Sequence, residues 1–219
     1  MDSAMELLKW VHAGLGVLCL LSGTVALASR KAAGRHPTAG RVFAVALMLV
    51  YLSILFNIVM QRNVFMLGIG GLAVYAGVDG WRALRRFKGT LPPTAQTVDK
   101  LAGGVTALLS LALAAFGAHL LLAAGNLMGA VCVGFALLGV GLLRGAAQRF
   151  RTPPPKEQWL AAHIGLMTGA FSAAITAFFA VQLSGRLGAW EWVLWVAPSV
   201  LMSTWARREQ TRRGLREAS

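Results

Sequence analysis

Residues 159–182, WLAAHIGLMTGAFSAAITAFFAVQ, run for 24 residues with a single ionisable side chain, His163. At about 1.5 Å of rise per residue such a helix is roughly 36 Å long, more than the ~30 Å hydrocarbon core of a bilayer. The stretch therefore predicts a transmembrane helix that keeps one imidazole at membrane depth. A titratable group there is costly unless it faces the bundle interior, a partner or water, which makes His163 the first candidate functional residue.

Six more apolar segments flank it, at 10–29, 42–60, 64–81, 101–124, 125–143 and 189–206, separated by turns and by basic loops containing Gly34 and Pro37, Pro92 and Pro93, and Pro153 to Pro155. The expected fold is all-α, a single transmembrane bundle of seven spans over residues 1–206 with a basic tail at 207–219. The last span is the shortest, with Glu191 at its start, Pro198 inside and only 15 uncharged residues. Charged residues make up 13% of the chain and hydrophobic ones 57%. A soluble domain carries about a quarter charged residues, so a soluble fold is excluded.

The net charge of +13 would suggest nucleic acid in a soluble protein. Here the basic residues occupy short loops between spans, where they set orientation, and no nucleic-acid partner is expected. Eighteen Lys and Arg fall on one side of the seven-span arrangement and three, Lys9, Arg62 and Arg186, on the other. That division predicts an exported N-terminus and a cytoplasmic C-terminus in a bacterial cytoplasmic membrane. Trp10, Trp190 and Trp192 then mark the outer interface and Trp81, Trp159 and Trp205 the inner one. Six spans would strand the basic tail outside, so the seventh is kept. The N-terminal Asp2, Glu6 and Lys9 do not make a cationic signal region, and the start reads as a retained helix. Cys19 and Cys132 lie inside spans and are expected to pack as small apolar residues. Glycines spaced as GxxxG, at 125 and 129, 141 and 145, and 165 and 169, predict close helix contacts, with Ala170, Ala174 and Ala177 extending the small face below His163.

Depth sorts the remaining polar residues into two layers. His12 and His119 lie roughly 10–12 Å outward of their span midpoints, with Asn57 near the same level, whereas His163 and Asp79 lie about 12 and 9 Å toward the cytoplasm. The outer pair, His12 and His119, has the arrangement of bis-histidine ligands to haem b. In the inner layer Tyr75, Asp79, Arg82 and Arg86 follow at steps of four, three and four, sharing one helical face. Asp79 is expected to pair with Arg82. His163 can join them, as can His36 by folding back from the loop before Pro37, giving a metal site of His36, His163 and Asp79, a proton relay or a site for an anionic headgroup. About 24 Å separates the levels of His12 and His163, too far to share one metal ion. No phosphate-binding GxxxxGK loop and no GxSxG elbow occurs.

HAGLG in the first span, RHPTAGRVF after the first loop, YAGVDGWR closing the third span and WLAAHIGLMTGAFSAAITAF followed by a Trp and Pro198 resemble a bacterial family of multi-pass membrane proteins catalogued as a domain of unknown function. The resemblance covers most of the chain; residues 90–150 match in hydropathy alone. His12, His36, Tyr75, Trp81, Arg82 and His163 fit the family pattern, and His119 and Asp79 depart from it. It implies membrane localisation and a helical fold and carries no activity.

Three function classes follow: a small membrane redox protein binding haem or a metal ion through intramembrane histidines; a carrier or channel for a small solute or protons built on His163, Asp79 and Arg82; and an accessory subunit. The partners expected are the lipid bilayer and another membrane protein or a second copy of the chain. The orientation has a direct test. With Cys19 and Cys132 replaced by serine, Arg35→Cys and Arg151→Cys should resist an impermeant maleimide in intact cells and react after permeabilisation. Labelling of both in intact cells would reverse the topology.

Overall fold

The computed structural model describes residues 2–29, 34–183 and 185–215, and the side chains of all of these except 2–5, 57 and 189. Seven α-helices follow one another: α1 (Asp2–Ala28), α2 (Arg35–Met60), α3 (Val64–Phe87), α4 (Thr97–Leu122), α5 (Met128–Arg151), α6 (Lys156–Leu183) and α7 (Glu191–Arg212), the last preceded by a single 3-10 turn, Gly188–Trp190. Among the described residues there is no strand. Helices α1 to α6 are each long and apolar enough to cross a membrane. Helix α7 falls short of that apolarity because Glu191 and Arg207 bracket its 15 uncharged residues, about 22 Å of helix.

The expected spans and the helices differ at their ends in an instructive way. Charged residues stop a hydropathy span but do not stop a helix, so α3 continues through Arg82, Arg85 and Arg86, and α5 through Arg144, Arg149 and Arg151. What does stop helices here is backbone chemistry. Gly89 and Gly125 take left-handed φ values of +73° and +59° just beyond α3 and α4, a conformation that side chains disfavour. The fifth helix therefore begins at Met128, not at Gly125, and the Asn126 Oδ1 accepts the Met128 N–H at 2.9 Å. His36 and Pro37 were expected in a loop, yet both belong to the first turn of α2. Proline is tolerated there because the first N–H groups of a helix lack an intrahelical partner.

The chain forms two compact units, Met1–Asn63 and Val64–Ser219. In the first, α1 and α2 pair as an antiparallel hairpin, shown by the bonds from His12 to Val50 and from His36 to Ala26. Its most deeply buried residues are Cys19, Phe43 and Ala46, all 2% exposed.

The second unit is organised around α3, which packs against α4, α5 and α6, while α7 packs on α6. Leu113 of α4 is fully buried and occupies the space where a side chain at Gly68 would stand. Gly117 of α4 and Gly129 of α5 face each other so closely that a Cβ on either would meet the other's carbonyl oxygen within 2.7 Å. Gly139 accommodates Ser110 and Leu72 in the same way. Of the GxxxG glycines, Gly129 alone makes such an approach; Gly141 and Gly169 have open space beside them. Spacing identified small residues but not which side of the helix has a neighbour. Helix α7 runs back along α6, with Trp195 beside Ala180 at one end and the Gln210 Nε2 donating to the Ala161 carbonyl at 2.8 Å at the other.

The exterior is oily and part of the interior is charged. Leu108, Leu111 and Leu122 are 70, 68 and 88% exposed, whereas Asp79 and Arg86 are each 5% exposed. In water that distribution would be unstable. In lipid it is the expected one, because apolar side chains lose nothing by facing acyl chains while charges must find partners inside. The chain is a multi-pass membrane protein by this distribution and by its six span-length helices.

Candidate functional site

The face of α3 carrying Tyr75, Asp79, Arg82 and Arg86 turns inward as the spacing predicts: Tyr75, Asp79 and Arg86 are buried and Arg82 is largely covered. The pairing within that face is different from the expected one. Asp79 does not bond Arg82; its Oδ2 accepts Arg149 Nη2 of α5 at 2.6 Å. Arg82 instead makes a two-pronged bond to Asp99 of α4, Nε to Oδ1 at 2.6 Å and Nη2 to Oδ2 at 2.9 Å. Positions three apart are offset by about 60° around a helix. That offset lets Asp79 turn toward α5 and Arg82 toward α4, where each finds a partner of better geometry.

Arg86 completes the cluster. Its Nη2 donates to Asp99 Oδ2 at 2.7 Å and its Nε to the Pro92 carbonyl at 3.1 Å. The guanidinium carbon lies 4.8 Å from the Phe150 ring centre and 5.2 Å from that of Trp159, distances at which aromatic faces attract a cation. Arg149 lies 5.9 Å from the same Trp159 ring. Asp99 also accepts the Gln96 N–H at 2.8 Å. That bond ties the carboxylate to the start of α4, as the third residue of a capping box does. One aspartate thus serves two arginines and a helix end.

The balance of this cluster is uneven. Arg82, Arg86 and Arg149 face Asp79 and Asp99, three cations against two anions, with Asp79 and Asp99 side chains both 5% exposed. Among the described residues, Arg86 Nη1 and Arg149 Nε have no hydrogen-bond acceptor although both are sealed from solvent. Beside Arg86 a cleft of about 500 Å³ opens between the α3–α4 turn and the start of α6, bordered by Arg86, Thr90, Pro92, Pro93, Lys156 and Trp159 among others.

His163 reaches the same region through the backbone. Its Nδ1 is 2.9 Å from the Gly80 carbonyl, the residue after Asp79. Gly80 is itself in tight contact with α6, since a Cβ there would come within 3.0 Å of Leu166. The remaining predicted residues sit elsewhere. His12 Nδ1 lies 3.1 Å from both the Val50 carbonyl and the Ser53 hydroxyl, and His36 Nδ1 2.8 Å from the Ala26 carbonyl, all within the first unit. His36 therefore spends this nitrogen on α1. His119 is on an exposed face of α4 in the second unit. The side chain of Asn57 lies outside the described residues. No group of three or more His, Cys, Asp or Glu is arranged to hold a metal ion among the described residues.

Asp99 and Arg149 are the two members that sequence reasoning missed. Both fall just outside hydropathy spans; Arg149 was counted as a loop charge and Asp99 was not singled out. The signal for Asp99 was local: Gln96-Thr-Val-Asp99 after a pair of prolines has the N-terminal spacing of a capping residue and its third helical position.

No protein-family model, no curated protein and no solved structure matches this chain. The reading of the site therefore rests on its geometry.

Removing one partner of a buried ion pair leaves an uncompensated charge, whereas replacing both with apolar residues does not. Asp79→Ala and Arg149→Met should each lower unfolding stability in detergent by about 3–5 kcal/mol, and the double variant should recover most of that loss. Additive losses in the double variant would show that the two side chains are not coupled.

Proposed function

We propose that this chain is a seven-span protein of the bacterial cytoplasmic membrane, with its N-terminus exported, that acts as a carrier binding a negatively charged solute at the Asp79, Arg82, Arg86, Asp99 and Arg149 cluster. The observation that carries this reading is the excess of buried positive charge. A cluster whose purpose is to hold helices together closes with equal numbers of cations and anions, because an unmatched buried charge costs free energy and contributes no attraction. Three guanidinium groups against two carboxylates, with two N–H groups lacking acceptors, leave a place for one more anion. His163, one turn from the cluster on α6, is positioned by its bond to Gly80 to respond to what binds there.

Seven spans are supported by the path of α7, which follows α6 from Ala180 to Ala161, about 28 Å of helix rise. That is nearly the depth of the hydrocarbon core. Its basic C-terminal turns then lie at the end of the unit where α6 begins, in keeping with the 18 to 3 division of Lys and Arg. The four ordered motifs support membership in the uncharacterised bacterial family they resemble.

Proteoliposomes containing the protein should take up small anions, drawn from phosphate, sulfate and short carboxylates, faster than empty vesicles. Asp79→Asn should change that rate several-fold. Absence of protein-dependent flux for every anion tested would rule out the carrier reading.

A second reading, haem or metal binding through histidine, is favoured by one observation: His12 turns its Nδ1 to the Val50 carbonyl and the Ser53 hydroxyl. Ligating imidazoles are commonly oriented in this way, with the opposite nitrogen presented to the metal. On this reading purified protein shows a haem absorption band that His12→Ala abolishes. A colourless, metal-free preparation would remove it.

A further inference from the structure

Resting on the carrier reading, we propose that the ligand at this end of the second unit carries a phosphate group, held in the cleft beside Arg86 with Arg86 and Lys156 as its cationic partners. The first support is the state of Arg86. Its side chain is 1% exposed, its Nε and Nη2 are engaged by Pro92 and Asp99, and its Nη1, sealed from solvent in a residue that borders the cleft, has no acceptor among the described residues. The aromatic rings of Phe150 and Trp159 stabilise the cation but provide no conventional acceptor. The Asp99 Oδ2 that could have served is already shared by Arg82, Arg86 and the Gln96 N–H. An oxygen entering from the cleft is what the site lacks.

The second support is the charge and shape of the cleft. Lys156, exposed and 5.3 Å from the Phe87 ring, stands across from Arg86 at the first residue of α6. The N-terminal turn of a helix adds its own positive potential. Among the described residues that border the cleft, none is acidic. The cluster's one unmatched positive charge and that of Lys156 together match the charge of about −1.5 to −2 that a phosphate monoester carries at neutral pH. A single carboxylate would leave one of them unpaired. The volume of about 500 Å³ exceeds what a phosphate group fills, and the walls of Pro92, Pro93 and Pro154 suit an apolar or ester substituent. A soluble phosphate monoester and the headgroup of phosphatidic acid, a lipid monoester, share this chemistry.

Two binding experiments on the full-length protein separate those sources. In detergent, inorganic phosphate is titrated by calorimetry; in nanodiscs containing phosphatidic acid and phosphatidylcholine, retained lipid is identified by native mass spectrometry. Saturable phosphate binding identifies a soluble ligand, and selective retention of phosphatidic acid identifies a headgroup. In either case Lys156→Glu, at an exposed position that leaves the ion-pair network intact, weakens binding at least about tenfold, the loss expected for one charge-assisted contact. Arg86→Met, when its circular dichroism shows it folded, weakens binding likewise, and unchanged binding in that folded variant overturns the proposal as well. Neither phosphate binding nor selective lipid retention in the wild type, or binding unchanged in Lys156→Glu, overturns the proposal. Anion flux without phosphate binding leaves the carrier reading standing and removes this one; phosphate binding without any flux does the reverse.

Discussion

Asp99 accepts hydrogen bonds from two guanidinium groups and from the N–H at the start of its own helix, and the arrangement at this end of the second unit depends on that convergence. A carboxylate moved out of water loses several kcal/mol of hydration, and a guanidinium loses a comparable share. Two arginines on one aspartate share the carboxylate's cost, and the shared anion fixes where α3 ends relative to the start of α4. The intervening turn is held too, since Arg86 also donates to Pro92 and Thr94 within it. Without Asp99 the arginines would have to reach toward headgroups or water.

The polar end is kept in register by the apolar packing below it. Helix α3 approaches its neighbours at positions where a side chain has been dispensed with: Gly68 admits Leu113, and Gly80 lets α6 come close enough for His163 to bond the backbone. Just before Gly68, Phe65 meets Trp195 edge-on at 4.7 Å and Phe135 at 6.2 Å, joining α3 to α7 and α5. In lipid there is no hydrophobic force to drive such association, so close packing and interhelical polar contacts must supply it. The same contacts that set helix spacing therefore set the distance between Asp79 and Arg149, at which a pair either forms or fails. Packing and electrostatics at this site are one constraint.

Much of the architecture was legible in the sequence because lipid imposes a simple rule: a helix must stay apolar for its whole crossing. Six span-length helices and the inward face of Tyr75, Asp79 and Arg86 follow from that rule and from helical periodicity. Partner choice was not legible. Asp79 and Arg82 were near enough in sequence to suggest a pair, but a residue's nearest partner in sequence competes with every helix packed against it. Arg149 is 70 residues from Asp79, and nothing in one-dimensional spacing ranks it above Arg82. Asp99 was hidden for a different reason. It sits where hydropathy falls, so a span-finding argument discards it, although the helix that bears it continues through. The histidines mark the same boundary: periodicity gave their depth, but not that His36 and His163 would direct Nδ1 to the carbonyls of Ala26 and Gly80.

The uneven charge count is the point at which a purely structural account of the cluster stops working. Asp79 with Arg149 is a balanced pair, and Asp99 with Arg82 is another, bidentate one; those two alone would join α3 to α4 and α5. Arg86 is surplus to that task. It is the most deeply buried of the three arginines, with its side chain 1% exposed, and so has the highest desolvation cost and the least access to water. Two aromatic rings are committed to offsetting that cost, and Trp159, itself 3% exposed, is thereby held at the start of α6 beside Lys156. A methionine or leucine at 86 would fill the same space between Phe150 and Trp159 without a charge to stabilise, but would leave the Pro92 and Thr94 carbonyls without their donor. Holding that turn asks for a donor at position 86, and the positive charge beyond that need is what the ligand proposed for the adjoining cleft would match.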